Sequence, residues 1–422
     1  MIWIGLLILV LTFAAIIKRY ETRMVLFFSG LTMAIISGQP LKAFDSFTAA
    51  MINTSLVPII CTVMGFAYVM KATKCDMHLV QLLAGSIKKA SSLLIPGTVI
   101  VTFFINIAIP SAAGCAAAVG AILIPTLIKA GVHPAIAGSA VLAGTWGSTL
   151  SPGGTHNPFV AKLANVDVMT VIATELPAVL TAALVVAVVL TGIAFIRKEH
   201  KSIEVELLDT IGDANAGETN QVSYLKAIIP LVPLVVLILS SKQVGILPPV
   251  SIPLAMIVGA ILGFLVTFKN PQDLTKQFFS GMGEAYGSII GIIVAAAVFT
   301  SGMELIGLTK ALIDVMKGSE QIARVAAGVG PLVIAVLCGS GDAAALAFNG
   351  AITPHAAQFG LGIIEMGSTA QVVGALGRSM SPVAGATIVC AQLAGVSTLD
   401  ITKRNALPMI LAAITMMLML LW

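Results

Sequence analysis

Charge is scarce in this chain. Only 10% of its 422 residues are Asp, Glu, Lys or Arg and 6% are aromatic, while 58% are hydrophobic; soluble domains carry about 25% charged residues. A charged, solvated surface is therefore excluded. Apolar runs near the ~20 residues needed to cross a bilayer make this a polytopic, all-α membrane protein. Cysteine is sparse as well: Cys61, Cys75, Cys115, Cys338 and Cys390 lie singly, with no CxxC or Cys/His spacing, so no disulfide framework, metal site or cofactor is expected. The net charge of +4 says little about partners, and no nucleic acid is expected among them. The first apolar run, residues 1–17, has no basic region before it and no small-residue cleavage pattern after it. Its positive charges, Lys18, Arg19 and Arg23, come behind, so it reads as a retained span and not a signal peptide.

What the chain does have is an internal repeat. Residues 144–166 read GTWGSTLSPGGTHNPFVAKLANV and residues 374–396 read GALGRSMSPVAGATIVCAQLAGV, with eight of 23 positions identical at a constant spacing of 230. Gly144/Gly374, Gly147/Gly377, Ser151/Ser381 and Pro152/Pro382 are among the matches. Each copy interrupts an apolar segment with Gly, Ser and Pro, the pattern of carriers whose broken helices meet near mid-membrane.

Each repeat is expected to hold five crossings, one of them broken, plus one re-entrant hairpin. The first repeat, residues 1–198, has crossings near 1–17, 24–38, 52–70, 134–164 and 170–196, with a hairpin at 92–130 tipped by IPSAAG at 109–114. Residues 199–222, acidic and rich in Gly, Asn and Ser, form a solvated cytoplasmic linker. The second repeat, residues 223–422, has crossings near 225–241, 248–268, 284–306, 366–394 and 405–421, with a hairpin at 321–359 tipped by CGSGD. Short amphipathic stretches at 77–89 and 308–318 precede the hairpins and lie along the interface. Five crossings is an odd number, so the copies have inverted topology. The predicted cytoplasmic loops then hold sixteen Lys and Arg against six outside, with both termini outside and Arg378 alone within the membrane.

Polar groups cluster at the four interruptions. Thr149, Ser151, Thr155, His156 and Asn157 flank the first break, and Arg378, Ser379, Ser381 and Thr387 the second; Ser111, Ser340 and Asn349 belong to the hairpins. These twelve are the candidate substrate-binding residues, because helix segments that start at the breaks offer free N–H groups to an anion. Any one hydroxyl here could equally satisfy freed backbone. Asp342, Asn106 and Ser148 are candidates for coupling sodium ions or protons.

Arg378 is the sharpest residue. Its repeat mate is Ser148, so the fold does not demand a guanidinium at a depth where it costs at least ~2.5 kcal/mol. It either captures a substrate carboxylate bidentately or forms an ion pair with Asp342 or Glu365. The GSGD string at 339–342 matches the GxGD of intramembrane aspartyl proteases, but the preceding crossing, 284–306, has no second Asp, which argues against an enzyme. An ion channel fits less well than alternating access, given two inverted copies. His156 could relay protons or cap the unwound segment.

The strings LGRSMSPVAG at 376–385 and GSGDAAALAF at 339–348, with Lys403, Arg404 and Pro408, resemble the DcuC family of anaerobic C4-dicarboxylate carriers. The resemblance runs along most of the chain and is strongest in the second repeat. It implies the plan of the wider ion transporter superfamily: a homodimer, with a scaffold domain and a mobile transport domain moving as an elevator. It also implies uptake, export or exchange of fumarate, succinate, malate or aspartate, small organic dianions, in a bacterial inner membrane. A carrier of another organic anion on the same architecture, such as a monocarboxylate, citrate or sugar acid, stays open, as does a sodium/proton antiporter.

The charge asymmetry generates a direct test. In a background without native cysteines, single cysteines at Lys74 and Ser202 react with an impermeant thiol reagent only from the cytoplasmic side, and those at Asp45 and Gln243 only from outside. Labelling of Ser202 and Gln243 from the same face would end the inverted-repeat reading.

Overall fold

The computed structural model describes residues 1–18, 20–87, 94–200, 222–241, 244–317 and 320–422. The predicted linker, apart from its ends, and positions Ser202 and Gln243 lie outside the described residues. Among those described, every regular element is a helix.

The chain runs through α1 (Ile2–Ile17), α2 (Thr22–Ile36), α3 (Pro40–Met51), α4 (Leu56–Thr73) and α5 (Cys75–Ile87) into a helical hairpin of α6 (Leu94–Ala108) and α7 (Ala112–Lys129). Next come α8 (Pro134–Gly144), a 3-10 turn at Gly147–Leu150, α9 (His156–Ala164) and α10 (Val168–Ile196). The second half has α11 (Tyr224–Ile228) and α12 (Val232–Leu239), then α13 (Ile252–Thr267), α14 (Pro271–Ala285), a π turn at Tyr286–Ile290, α15 (Gly291–Leu305) and α16 (Leu308–Lys317). A second hairpin of α17 (Glu320–Cys338) and α18 (Gly341–Ala351) leads to α19 (Ile363–Arg378), α20 (Gly385–Ala394) and α21 (Thr398–Leu420).

Among the described residues six stretches are long and apolar enough to cross a membrane: α4, α7, α10, α14 continued into α15, α17 and α21. This is a multi-pass membrane protein. The predicted crossings at 134–164 and 366–394 are each two short helices around an irregular segment, so neither half reaches span length. Two arms of the predicted hairpins, α7 and α17, do reach it, with 18 and 19 residues.

The 230-residue spacing recurs in the elements. Helix α10 starts at Val168 behind an Asp167 cap and α21 at Thr398 behind a Ser397 cap. Just before them, α9 and α20 both end in a left-handed residue, Asn165 (φ 54°) and Gly395 (φ 65°). The matched glycines now have a physical reason. A Cβ on Gly147 would lie 2.0 Å from the Phe103 carbonyl oxygen, and one on Gly377 would lie 2.4 Å from that of Leu332. In both halves, then, a glycine lets the broken helix press its backbone onto the first arm of the neighbouring hairpin.

Two helices were not expected from the sequence. Residues 40–51 and 271–285 read as loops, yet they form α3 and α14. Pro40 and Pro271 stand at the helix starts, where a missing N–H costs nothing, and Asn270 caps the Gln272 N–H at 2.9 Å. Helix α14 lies antiparallel to α4: Gly281 packs on Met64, Gly65 on Phe278, and Lys269 donates to the Ala72 carbonyl. Helix α15 carries α2, with Gly302 closing on the Gly30 backbone. The π turn between α14 and α15 releases the Gly287 carbonyl, which accepts from Arg23 Nη1 at 2.6 Å.

Polar ties also hold the far ends. Arg404 on α21 forms a two-pronged ion pair with Glu199, just beyond α10, with Nε 2.9 Å from Oε2, and the Glu199 carbonyl accepts from the His133 N–H at 2.9 Å. Burial alone would raise the Glu199 carboxyl, but the Arg404 hydrogen bond and charge outweigh it and hold the group below its ordinary value. A carboxyl lowered in the folded state adds stability above its unfolded pKa of about 4.3, and that stability is lost as pH falls through the lower folded value. Accordingly, Arg404→Ala should lower stability by on the order of 3 kcal/mol at neutral pH, and the gap from wild type should narrow below about pH 4, as read by thermal denaturation in detergent. A constant gap down to acid pH would assign the loss to packing alone.

Candidate substrate site

Both breaks are built by satisfying backbone that the helix has released. At the first, α8 stops at Gly144, and Thr145 Oγ1 donates to the Leu142 carbonyl at 2.8 Å. Trp146, fully buried, donates to the Ala143 carbonyl, and Thr149 Oγ1 to that of Trp146. The Ser148 N–H finds Asn106 Oδ1 at 2.8 Å, while Asn106 Nδ2 donates to Ile109 at the hairpin tip. Asn157 Nδ2 donates to the carbonyls of Thr149 (2.6 Å) and Ser151 (3.2 Å). At the second break the freed Ser379 carbonyl accepts from Asn405 on α21, and Ser381 Oγ accepts from the Val383 N–H.

This sorts the predicted site residues. Thr149 Oγ1, Asn106 Oδ1 and Asn157 Nδ2 are spent on the first break. Ser111 and Ser340 cap the returning arms α7 and α18 through Gly114 and Ala343. Asn349 braces α18 to α19, donating to Gly367 at 3.1 Å and accepting from Thr353. Ser379 Oγ turns back onto its own helix at Ala375. Ser148, Ser151 and Thr155 lie in the first break, and Thr155 precedes α9 without a side-chain cap bond. Thr387, at the start of α20, is buried with an unpartnered hydroxyl.

Three charged or titratable groups remain with valence to spare. His156, the first residue of α9, places Nε2 2.9 Å from Asp342 Oδ1 in the first turn of α18. The histidine side chain is only 10% exposed and the aspartate 56%, so Asp342 is the accessible member of the pair. Arg378, the last residue of α19, donates through Nη2 to the Thr145 carbonyl at 2.8 Å, reaching the first break from the second. There a cation meets the negative end of α8. Its Nη1 is buried with no partner, as is His156 Nδ1. Asp342 acts on Arg378 electrostatically, but its hydrogen bond is to His156, so the ion pair anticipated for Arg378 is not the one formed. One α-helix start, one hairpin return and one helix end thus converge on a carboxylate, an imidazole and a guanidinium, a set suited to an anion that exchanges partners with Asp342.

Glu175 is a further buried polar residue outside the predicted site. It is the single ionisable residue of the 29-residue α10, and an acid within such a run is itself the signal. Its Oε2 accepts from Gln371 Nε2 at 2.7 Å, and the same amide nitrogen donates to Asn157 Oδ1 at 2.7 Å.

Interrupted helices, polar ends converging at the interruptions and apolar outer faces define a membrane transporter. More particularly, the chain belongs to the C4-dicarboxylate anaerobic carrier family, DcuC, whose profile matches residues 2–422. It is a carrier and not an enzyme. The anaerobic C4-dicarboxylate transporter DcuC of Escherichia coli K12 is 25% identical over 97% of this chain and 94% of its own. A protein of Haemophilus influenzae described only as an uncharacterized transporter is 37% identical over 278 residues, 64% of this chain and all of its own length. Among solved structures, the YdaH transporter of Alcanivorax borkumensis shares the fold at a TM-score of 0.57 and 13% identity, over 89% of this chain and 87% of that one.

The His156–Asp342 contact can be checked by a double-mutant cycle. His156→Ala and Asp342→Asn should each destabilise the purified protein, with a coupling on the order of 1 kcal/mol in thermal denaturation. Additivity within about 0.3 kcal/mol would mean the two act independently.

Proposed function

We propose that this protein is a secondary active carrier of C4-dicarboxylates, namely succinate, fumarate, malate or aspartate, in a bacterial inner membrane. The observation that carries this reading is Arg378: a half-buried arginine whose one bonded partner among the described residues is a neutral carbonyl and whose Nη1, itself buried, has none. A substrate carboxylate supplies both the missing acceptor and the missing charge, and the family and its E. coli relatives give the substrate class. Asp342, accessible and bonded to the buried His156, acts on Arg378 electrostatically.

The mechanism we infer is alternating access by inverted repeats, residues 1–198 and 223–422. Repeat-related elements recur at the 230-residue spacing, and the antiparallel packing of α4 on α14 favours inversion. The hairpins 92–130 and 321–359, with the broken helices, then form a transport domain that moves as an elevator against a scaffold containing α2 and α13. A homodimer by family analogy, both termini outside by the Lys and Arg asymmetry, and exchange or coupling to sodium ions or protons at Asp342 complete the reading. A second reading is favoured by Asp342: an acid beside Arg378 competes with a substrate carboxylate, which suits an anion carrying less charge, such as a monocarboxylate.

Uptake of labelled succinate into proteoliposomes, with competition by mono-, di- and tricarboxylates, decides between the two. For the site itself, Arg378→Ala should remove succinate binding, and Arg378→Lys, which keeps the charge but loses the planar fork, should lose most of it, about 10-fold or more. Equal affinity in wild type and Arg378→Lys by calorimetry would exclude bidentate capture. Recovery of binding in Arg378→Ala combined with Asp342→Ala would assign Arg378 to charge balance instead.

A further inference from the structure

We propose that Glu175 binds a proton that travels with the substrate, and that Gln371 and Asn157 connect this proton site to the substrate site. The inference rests on the carrier reading above but not on the identity of the anion.

Glu175 is wholly buried, and among the described residues no cation faces it. The elements packed on α10 are α6, α8, α9, α19, α21 and the 3-10 turn at Gly147–Leu150. Helices α6 and α8 and the 3-10 turn carry no ionisable side chain. On α9, His156 is engaged with Asp342 and Lys162 is exposed; on α19, Glu365 is half-buried in the first turn and Arg378 is held at Thr145. On α21, Arg404 is paired with Glu199, Asp400 with Ser397, and Lys403 is exposed. The groups that act on Glu175 are Ser368, Gln371 and Asn157, all neutral. An ionised carboxylate in such a place is costly, so a cation must sit on it, and the simplest is H⁺.

The hydrogen-bond inventory says the same in a different way. Gln371 Nε2 has two hydrogens and both are used, one on Glu175 Oε2 and one on Asn157 Oδ1. No hydrogen bond within normal distance reaches the buried atoms Glu175 Oε1, Gln371 Oε1 and Ser368 Oγ, although Ser368 stands near enough to act on the carboxyl. Two of these are pure acceptors and the third has a single hydrogen, so the cluster is short of a donor. Protonation of Glu175 at Oε1 provides one. The fold does not require the acid: the repeat mate of Glu175, 230 positions on, is Asn405, an amide that serves the second break by donating to Ser379.

The path from this proton to the site is short. Asn157 takes Gln371 on one side and holds the carbonyls of Thr149 and Ser151 on the other, and it directly follows His156. Gain of a proton at Glu175 therefore alters the acceptor that Gln371 sees and, through Asn157, the unwound segment facing Arg378. Reciprocity requires that substrate binding shift proton affinity by the same factor. The proton is taken from water on the loading side as the carboxylate becomes a neutral carboxyl, and returns to water on release.

The test uses the full-length carrier in proteoliposomes, wild type against Glu175→Gln, which keeps shape and an acceptor but cannot exchange a proton. Infrared spectroscopy at neutral pH should show the C=O stretch of a buried carboxylic acid that is missing in Glu175→Gln, a readout that needs no substrate. Accumulation of labelled succinate driven by a pH gradient should fall about 10-fold or more in the variant, while exchange stays within about 2-fold. A wild-type band that persists in the variant, accumulation driven by sodium and not by pH, or unchanged accumulation in Glu175→Gln would each overturn the proposal. So would parallel loss of exchange and accumulation with no recovery in Glu175→Asp, which would make Glu175 structural. If wild type fails to move succinate at all, the substrate reading fails, and the infrared band still decides the proton site.

Discussion

A helix that stops inside an apolar slab leaves carbonyls and N–H groups that no water can satisfy, each at a cost of several kcal/mol. The rest of this molecule is arranged around that constraint. The carbonyls freed at the first break go to Asn157 and to Arg378, and the freed Ser148 N–H goes to Asn106 of the adjoining hairpin. At the second break Asn405 takes the Ser379 carbonyl. The partners come from other helices, so each interruption is also a joint. Glycine makes the joints possible, since Gly147 and Gly377 bring backbone against backbone where no side chain would fit.

The joints concentrate charge. Arg378 satisfies a carbonyl of the opposite break with one nitrogen and leaves the other without an acceptor. Asp342 is bonded to His156 yet remains accessible. An anion arriving here meets a cation already oriented by the backbone it stabilises, and the same bond makes the cation sensitive to any movement of the two broken helices against each other. Glu175 lies one amide relay away, behind Gln371 and Asn157, in a wholly buried position. The two acids therefore stand in different surroundings: Asp342 is accessible and bonded to an imidazole, whereas Glu175 is wholly buried among neutral groups.

The stability of the assembly has a separate origin. The long pair of α4 with α14 and of α2 with α15 packs through Gly65, Gly281, Gly30 and Gly302. The Arg404–Glu199 pair, tied to His133, locks the end of α10 to α21. None of these contacts touches the irregular segments of the breaks, which are held instead by Asn106, Asn157, Arg378 and Asn405.

Sequence by itself determined a good deal. Composition fixed the membrane class, since apolar runs of this length have no stable soluble alternative, and Gly, Ser and Pro marked both helix breaks, because such interruptions are local properties of the chain. It missed α3 and α14, whose half-polar faces read as loops until α15 and α4 cover them. Which polar residues face a ligand was decided only by tertiary structure. Ser, Thr and Asn at a break have the same letters whether they cap backbone or bind substrate, and only the partner across space separates Asn157 and Asn349, fully engaged, from Thr387 and Arg378, which are not. The pairing of His156 with Asp342, 186 positions apart, and of Glu175 with Gln371, 196 apart, is likewise a product of packing, since no local rule relates residues so distant in the chain.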